Sequence, residues 1–281
     1  MYDYPQLKKD IDNSGVGILE LSNTTKEYIK EFFLTYSMKG LISLRGTLQL
    51  NLIDDYDTTL VTKMKEKIID INKTMDSVWK NYKYKDITYT ENSHNPNDTD
   101  ITLWYFRGSY EKLTILRKWL VDNYKTSIFQ MWYEIPLQNI RNKSGVDVTK
   151  IHQELTTIYL ELYGDLEEVQ NFGREYNPNK AIQQTFRLQV YEEGCFLSPH
   201  RDGGGGHCSM LLYTNEDYVE GMGGELVCID SKGKEIIVPP TIGTLAIVDF
   251  KKDPSHSVNI IKGNNWNRRT IGCWWPAGVQ Y

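Results

Sequence analysis

The chain has 281 residues, with 32 basic against 37 acidic side chains and a net charge of −5. That is long enough to bury a substantial core. The acidic balance and the lack of a Lys/Arg-rich run argue against a nucleic-acid footprint, and no apolar run approaches the ~20 residues of a membrane span.

Residues 1–10 lack the basic-then-apolar order of a signal peptide, so a cytoplasmic protein with no membrane partner is expected. Residues 16–21 read as a strand. Thr24-x-x-Glu27 has the form of a capping box and opens a helix whose face is Tyr28, Ile29, Phe32, Phe33 and Tyr36, stopped at Gly40. Residues 58–82 carry Leu60, Met64, Ile68, Ile71, Met75 and Val78 at helical spacing. Strand candidates follow at 84–89, 101–106 and 128–135. A polar loop at 91–100 holds a solvated His94. A helix at 110–124 turns Leu113, Leu116 and Leu120 inward. Asp147 then caps a helix with Val148, Ile151, Leu155, Ile158 and Leu162 on one face. His152 falls off that apolar row and is assigned to the surface. Residues 1–180 thus read as a helix-rich region packing on a core that begins at 181.

From 181 the pattern changes to short runs of β-branched and aromatic residues between Gly, Pro and Asn turns. In 186–191, Phe186, Leu188 and Val190 alternate with Arg187, Gln189 and Tyr191. Further strands are expected at 209–213, 225–229, 235–238 and 244–250. Residues 257–261 and 268–275 would pair as a hairpin across 262–265. The expected fold class is α+β: a double-stranded β-helix (a cupin-like jelly roll) at 181–281 under a helix-rich N-terminal shell. Cys195, Cys208, Cys228 and Cys273 show no C-x-x-C spacing and read as free thiols in a reducing compartment.

Chemistry concentrates at His200-Arg201-Asp202, at the end of a strand-like run, with His256 on a later strand. Two imidazoles and one carboxylate on one face of a metal leave its other face open, the arrangement of non-haem Fe(II) oxygenases. His207, beyond Gly203–Gly206, is the competing imidazole. The one-residue spacing at a strand end suits ligation better, so His207 is expected to be a loop residue.

These residues stand in an ordered series of motifs: Tyr191-x-x-Gly194, Pro199-His200-Arg201-Asp202, Leu212-Tyr213-Thr214-Asn215-Glu216-Asp217, Gly223-Gly224-Glu225-Leu226, Pro240-x-x-Gly243-Thr244-Leu245, His256-x-Val258, and Arg268-x-Thr270 before Trp274. Over 181–276 the series resembles the catalytic core of the Fe(II)/2-oxoglutarate-dependent dioxygenases, in their prolyl 4-hydroxylase-like branch. The resemblance implies Fe(II) on His200, Asp202 and His256. It implies 2-oxoglutarate and O2 as cosubstrates, with ascorbate as a possible helper. Arg268 would hold the distal carboxylate, a task suited to guanidinium, with Thr270, Tyr191 and Tyr213 beside it. The segment between Gly263 and Arg268 is longer than the family's usual turn, which makes Arg269 a rival. Strand alternation puts Arg268, Thr270, Gly272 and Trp274 on one face and favours Arg268.

The implied reaction is hydroxylation of an unactivated C–H bond of an amino acid, peptide or protein side chain, with release of succinate and CO2. Asp202 counts against halogenation, and the acidic balance against nucleic-acid demethylation. A cupin-like binding protein without turnover would not need Arg268-x-Thr270 beside a full triad. If Tyr191 faces the pocket, so do Arg187 and Gln189. Arg187, Gln189 and Trp274 are therefore the candidate substrate residues, with Arg187 suited to a substrate carboxylate.

Overall fold

The computed structural model describes residues 2–34, 42–51, 58–74, 86–93, 101–123, 129–130, 133–136, 149–166, 169, 187–202, 206–262 and 266–275. The chain opens with an unexpected helix, α1 (Tyr4–Ser14), which buries Leu7 and Ile11. Its signals lie in its ends. The Asp3 carboxylate accepts the Gln6 N–H at 3.0 Å, Pro5 occupies the first turn, and Gly15 closes it in the left-handed region at φ 78°. Strand β1 (Val16–Glu20) follows where expected.

Helix α2 (Asn23–Leu34) is capped by Ser22, not Thr24. The Ser22 hydroxyl accepts the Thr25 N–H at 3.2 Å, and its carbonyl accepts the Lys26 N–H at 2.9 Å. Ser22 lies two residues past the end of β1, and its oxygen reaches an N–H three residues on. Gly40 and Tyr36 lie outside the described residues, as do Met75, Val78, His94 and Asp147. Strand β2 (Ile42–Asn51) was not foreseen. Helix α3 (Thr58–Lys73) buries Met64, Ile68 and Ile71. Strand β3 (Thr88–Ser93) starts later than expected and takes in the head of the supposed polar loop. Strand β4 (Ile101–Ser109) and helix α4 (Tyr110–Asn123) match their patterns, with Leu113, Leu116 and Leu120 buried. The pieces β5 (Phe129–Gln130) and β6 (Tyr133–Pro136) fall on the expected 128–135 run, β6 passing its end by one residue. Helix α5 is Thr149–Tyr163.

The last third holds β7 (Arg187–Tyr191), β8 (Leu197–His200), β9 (Cys208–Tyr213), β10 (Leu226–Ile229), β11 (Glu235–Val238), β12 (Thr244–Asp249), β13 (Ser255–Val258) and β14 (Arg268–Trp275). Strand pairing is antiparallel throughout. One sheet runs β1-β12-β9-β14-β7-β6-β2-β4-β3, with β5 on β2, and a four-stranded sheet runs β11-β10-β13-β8. The expected β13–β14 hairpin is not formed. β13 pairs with β10 and β8 in the small sheet, and β14 with β7 and β9 in the large one. The connection crosses between sheets because Ile261 and Trp266 within it are buried in the core rather than turned out at a hairpin tip. The N-terminal region is also more than a helical cover. It supplies β1 at one edge of the large sheet and continues that sheet past β7 through β6, β2, β4 and β3.

A single apolar cluster joins the two sheets: Leu226, Cys228, Val238 and Val258 of the small one with Tyr191, Leu211 and Tyr213 of the large one. The outer face of the large sheet is covered by α5, where Tyr159 stacks on Trp275 at 4.5 Å and the Tyr163 hydroxyl donates to Asp249 at 2.9 Å. All four cysteines are free and buried. Among the described residues no helix is long and apolar enough to cross a membrane.

Candidate active site

His200 closes β8 and lies directly opposite His256 of β13 in the ladder. Opposed residues of an antiparallel pair point to the same face, so the two rings stand together, 4.2 Å apart between centroids. Asp202 follows one residue past the strand end. Its two oxygens lie 3.6 Å from His200 Nε2 and 3.5 Å from His256 Nε2. One ligand atom from each of the three residues falls within 4.8 Å of the others.

The electrostatics suit a cation. Burial tends to raise the Asp202 carboxyl, but the two neighbouring imidazoles, His200 first, outweigh it and hold the group below its ordinary value. Burial, with the neighbouring His200, lowers His256, against the upward pull of Asp202. The site thus presents an ionised carboxylate and a neutral imidazole. His256 Nδ1 sits 3.2 Å from the Pro254 carbonyl. That oxygen can only accept, so Nδ1 carries the proton and Nε2 keeps its lone pair for a metal. His256 is buried, while His200 and Asp202 are partly open.

Two other histidines are more buried than a surface or loop setting suggests. His207 is a loop residue as expected, in the bend before β9, but it is buried: Nδ1 is paired with the Tyr159 hydroxyl at 2.7 Å, and its backbone N–H donates to the Trp275 carbonyl at 2.7 Å. It ties α5 to the end of β14 and belongs to no ligand group among the described residues. His152 is only 2% exposed, because α5 buries a face wide enough to include it beside Ile151, and its ring lies 6.4 Å from Trp275. Burial pushes it down to about 4.

The second half of the site is on the large sheet. The register sets Arg268 opposite Tyr191, Thr270 opposite both Gln189 and Tyr213, and Gly272 opposite Arg187 and Leu211. Arg187, Gln189, Tyr191, Tyr213, Arg268 and Thr270 therefore share one face, and Arg269 lies on the other with Ile271, Cys273 and Trp275. Arg268 is 1% exposed. Its Nε donates to the Gly224 carbonyl at 2.7 Å, Nη1 to Thr270 Oγ1 at 3.5 Å and Nη2 to the Tyr213 hydroxyl at 3.3 Å. The guanidinium sits 4.9 Å from the Tyr191 ring centre and 5.1 Å from that of Tyr213. Burial raises the Tyr213 phenol more than Arg268 lowers it, so the hydroxyl stays protonated.

No acidic side chain among the described residues pairs with Arg268. A buried cation of this kind calls for an anion, and a carboxylate matches its fork. The donor set opposite, two nitrogens and one oxygen, suits non-haem iron. Both halves thus fit iron and a dicarboxylate ligand. Thr270 Oγ1 donates to Gln189 Oε1 at 3.2 Å. Arg187 is half-buried, less than expected, with its guanidinium 6.0 Å from the centre of the Trp274 ring. Neither Cys228 nor Asn215 was singled out from sequence. Cys228 stands opposite His256 in the β10–β13 ladder, buried, with burial pushing its thiol up to about 12. A lone thiol with no ligand spacing gave no signal. Asn215 is buried beside Arg268, and its only sequence mark was its place in the Leu212–Asp217 run.

Residues 186–276 match the family model described as the 2OG-Fe(II) oxygenase superfamily. No curated protein matches the chain. Among solved structures, a Pseudomonas putida prolyl-4-hydroxylase shares 11% identity over 97% of this chain and 98% of its own, at a TM-score of 0.45. A Trichoplax adhaerens prolyl hydroxylase, solved with a peptide fragment of the hypoxia inducible factor oxygen degradation domain, shares 10% over 96% and 87%, also at 0.45. A 2OG-Fe(II) oxygenase family oxidoreductase from Burkholderia pseudomallei shares 10% over 97% and 90%, at 0.38. These likenesses are too distant to identify a substrate.

Proposed function

We propose that this chain, whose residues 186–276 match the 2OG-Fe(II) oxygenase superfamily and whose His200, Asp202 and His256 could hold a metal, is an iron- and 2-oxoglutarate-dependent dioxygenase that hydroxylates an unactivated C–H bond of an amino acid, peptide or protein side chain, in the manner of prolyl hydroxylases. Succinate and CO2 are the by-products. On this reading β7–β14 are a double-stranded β-helix, residues 181–281 are the catalytic core, and residues 1–180 pack on it. The buried free thiols support a reducing, cytoplasmic setting.

The observation that carries the reading is Arg268, a buried guanidinium with no acidic partner among the described residues, on the sheet facing an open His200, Asp202, His256 triad. Iron held by the triad would supply the activation of O2 coupled to decarboxylation of 2-oxoglutarate. The protein's own residues supply place and polarity. Arg268 takes the distal carboxylate, Thr270 and the protonated Tyr213 offer hydroxyls beside it, and Tyr191 backs the guanidinium with its ring. Leu226 and Val258, on the His256 face of the small sheet, keep water from the reacting centre. Arg187, Gln189 and Trp274 contact the substrate. The half-exposed Arg187–Trp274 pair suits an anionic group carried by the substrate.

The test is succinate release by the Fe(II)-loaded protein with 2-oxoglutarate and ascorbate, across a panel of free amino acids and peptides. A true substrate stimulates release above the substrate-free rate, with a gain of one oxygen atom in that substrate. Metal-loaded protein that binds 2-oxoglutarate yet releases no succinate, with or without any panel member, would overturn the assignment in favour of a binding protein.

A further inference from the structure

We propose that Asn215 is the positioning residue for Arg268, setting the direction in which the guanidinium leaves the backbone. The proposal rests on the reading of Arg268 as the carboxylate anchor. On the β9 side the ladder of β14 ends at the Thr270–Tyr213 pair, so Arg268 lies beyond it. Past that pair the Thr214 N–H still donates to the Arg269 carbonyl at 3.2 Å, and the Asn215 side chain takes up the next two backbone groups of β14 and its lead-in. Its Oδ1 accepts the Arg269 N–H at 2.7 Å, and its Nδ2 donates to the Asn267 carbonyl at 2.7 Å.

Those two groups belong to the two peptide planes that flank the Arg268 Cα. Each plane is rigid, so holding both sets φ and ψ at Arg268 and with them the Cα–Cβ direction. The amide is itself held. Nδ2 also reaches Asp217 Oδ1 at 3.4 Å, and the Asn215 carbonyl accepts the Ile242 N–H at 2.8 Å. Thr214 adds its hydroxyl to the Arg269 carbonyl at 3.2 Å. Asn215 is 1% exposed, so water cannot stand in for the lost bonds after truncation.

The far end of Arg268 is held as closely. Nε donates to the carbonyl of Gly224, whose φ of +81° is open to glycine, and where a Cβ would come within 2.8 Å of the Trp266 ring. An arginine gripped at its backbone and at Nε gives up little rotamer freedom when a carboxylate arrives, and that is how preorganisation raises affinity. The chemistry needs an amide. Asparagine accepts and donates in one plane. An aspartate cannot donate to the Asn267 carbonyl and would set a second carboxylate against Asp217.

The experiment is anaerobic calorimetric titration of 2-oxoglutarate into the full-length, Mn(II)-loaded protein, comparing wild type with Asn215→Ala, Asn215→Asp and Arg268→Met. Loss of both hydrogen bonds that orient the anchor should weaken 2-oxoglutarate binding about tenfold in Asn215→Ala, and loss of the Asn267 bond alone should weaken it about fivefold in Asn215→Asp. Mn(II) affinity should stay within about twofold of wild type, since the ligands lie on the other sheet. In turnover, the KM for 2-oxoglutarate should rise by a similar factor while kcat at saturation holds. Unchanged 2-oxoglutarate affinity in the Asn215 variants, with Arg268→Met strongly weakened, would overturn the positioning role and leave the anchor reading standing. Parallel loss of Mn(II) affinity would also overturn it, by making Asn215 a general stabiliser. No effect of Arg268→Met would remove the anchor and the proposal with it. If Asn215→Ala does not fold, the isosteric Asn215→Asp decides by the same criteria.

Discussion

Replacing Arg268 by methionine separates what the arginine costs the fold from what it does for the cosubstrate. The side chain is 1% exposed and has one close hydrogen bond, 2.7 Å to Gly224, with two longer ones at 3.3 and 3.5 Å. A buried charge deprived of its counter-charge costs the fold ~3–5 kcal/mol. The two ring contacts, at 4.9 and 5.1 Å, return ~2 kcal/mol each when desolvated. The guanidinium therefore sits near break-even without a ligand, and methionine fills much of its volume at no charge cost. Unliganded Arg268→Met protein should melt at or a little above the wild-type temperature. With 2-oxoglutarate the order reverses. Wild-type protein gains ~2.7 kcal/mol at a ligand concentration of ~100 Kd, whereas losing the pair weakens the variant by ~3–5 kcal/mol, or ~10²–10⁴ in Kd, and removes that gain. The assay is denaturant unfolding of the metal-loaded protein with and without 2-oxoglutarate, beside Arg269→Met as a control on the opposite face. Unliganded Arg268→Met losing more than ~2 kcal/mol, within the usual range for structural substitutions, while keeping the ligand gain would make Arg268 structural. Arg269→Met reproducing the effect would put the strand one residue out of phase.

Equilibrium dialysis against Fe(II) should show binding abolished by His256→Ala and retained by His207→Ala, which instead loses ~1 kcal/mol of stability with the Tyr159–His207 hydrogen bond; the reverse pattern would reassign the ligand. Arg187→Met should leave substrate-free 2-oxoglutarate turnover nearly intact and abolish its stimulation by the true substrate, and equal loss of both would make Arg187 structural. His152 is held at about 4, down from 6.5, so the unfolded chain binds more protons there between these values. Its contribution is complete above pH 6.5 and is lost as the pH falls to about 4, a drop of up to ~3 kcal/mol. The His152→Phe variant should unfold with a flatter acid limb, and parallel wild-type and variant curves between pH 6.5 and 4 would refute the burial argument.

What was legible in the sequence was local. His200-x-Asp202 needs only a strand end. That Arg268, and not Arg269, shares a face with Tyr191 and Tyr213 needs only the period-two alternation of a strand, and the pairings agree with it. α1 was readable in principle from Asp3, Pro5 and Gly15, but its two buried apolar residues were too few to show a period. β2 was readable too: Ile42, Leu44, Leu48 and Leu50 alternate with Ser43, Arg45, Thr47 and Gln49, and only Gly46 weakens the pattern. His152 was assigned to the surface because it lies off an apolar row, and His207 to a loop because it follows four glycines, and neither pattern shows the burial. Their burial comes from Tyr159 and Trp275, partners distant in the chain, and no window of sequence holds both.

The missed crossover matters more than the missed elements. Residues 259–267 are compatible with a hairpin by composition, and nothing local says whether the chain turns back or changes sheet. Ile261 and Trp266 decide it by burying themselves in the core. As a result His200 and His256 oppose one another within the small sheet, while Arg268, Thr270, Tyr191 and Tyr213 gather on the large one. A hairpin would have placed His256 and Arg268 on one wall, as neighbours competing for the same ligand atoms. With the walls separated, a ligand must have two ends to use both, which a dicarboxylate has. Without that ligand, groups on separate walls share no partner and should contribute additively. In the absence of 2-oxoglutarate, a double substitution such as Asp202→Ala with Asn215→Ala should therefore show in Mn(II) binding only the loss that Asp202→Ala produces alone, whereas with 2-oxoglutarate bound the ligand links the two walls and coupling should appear.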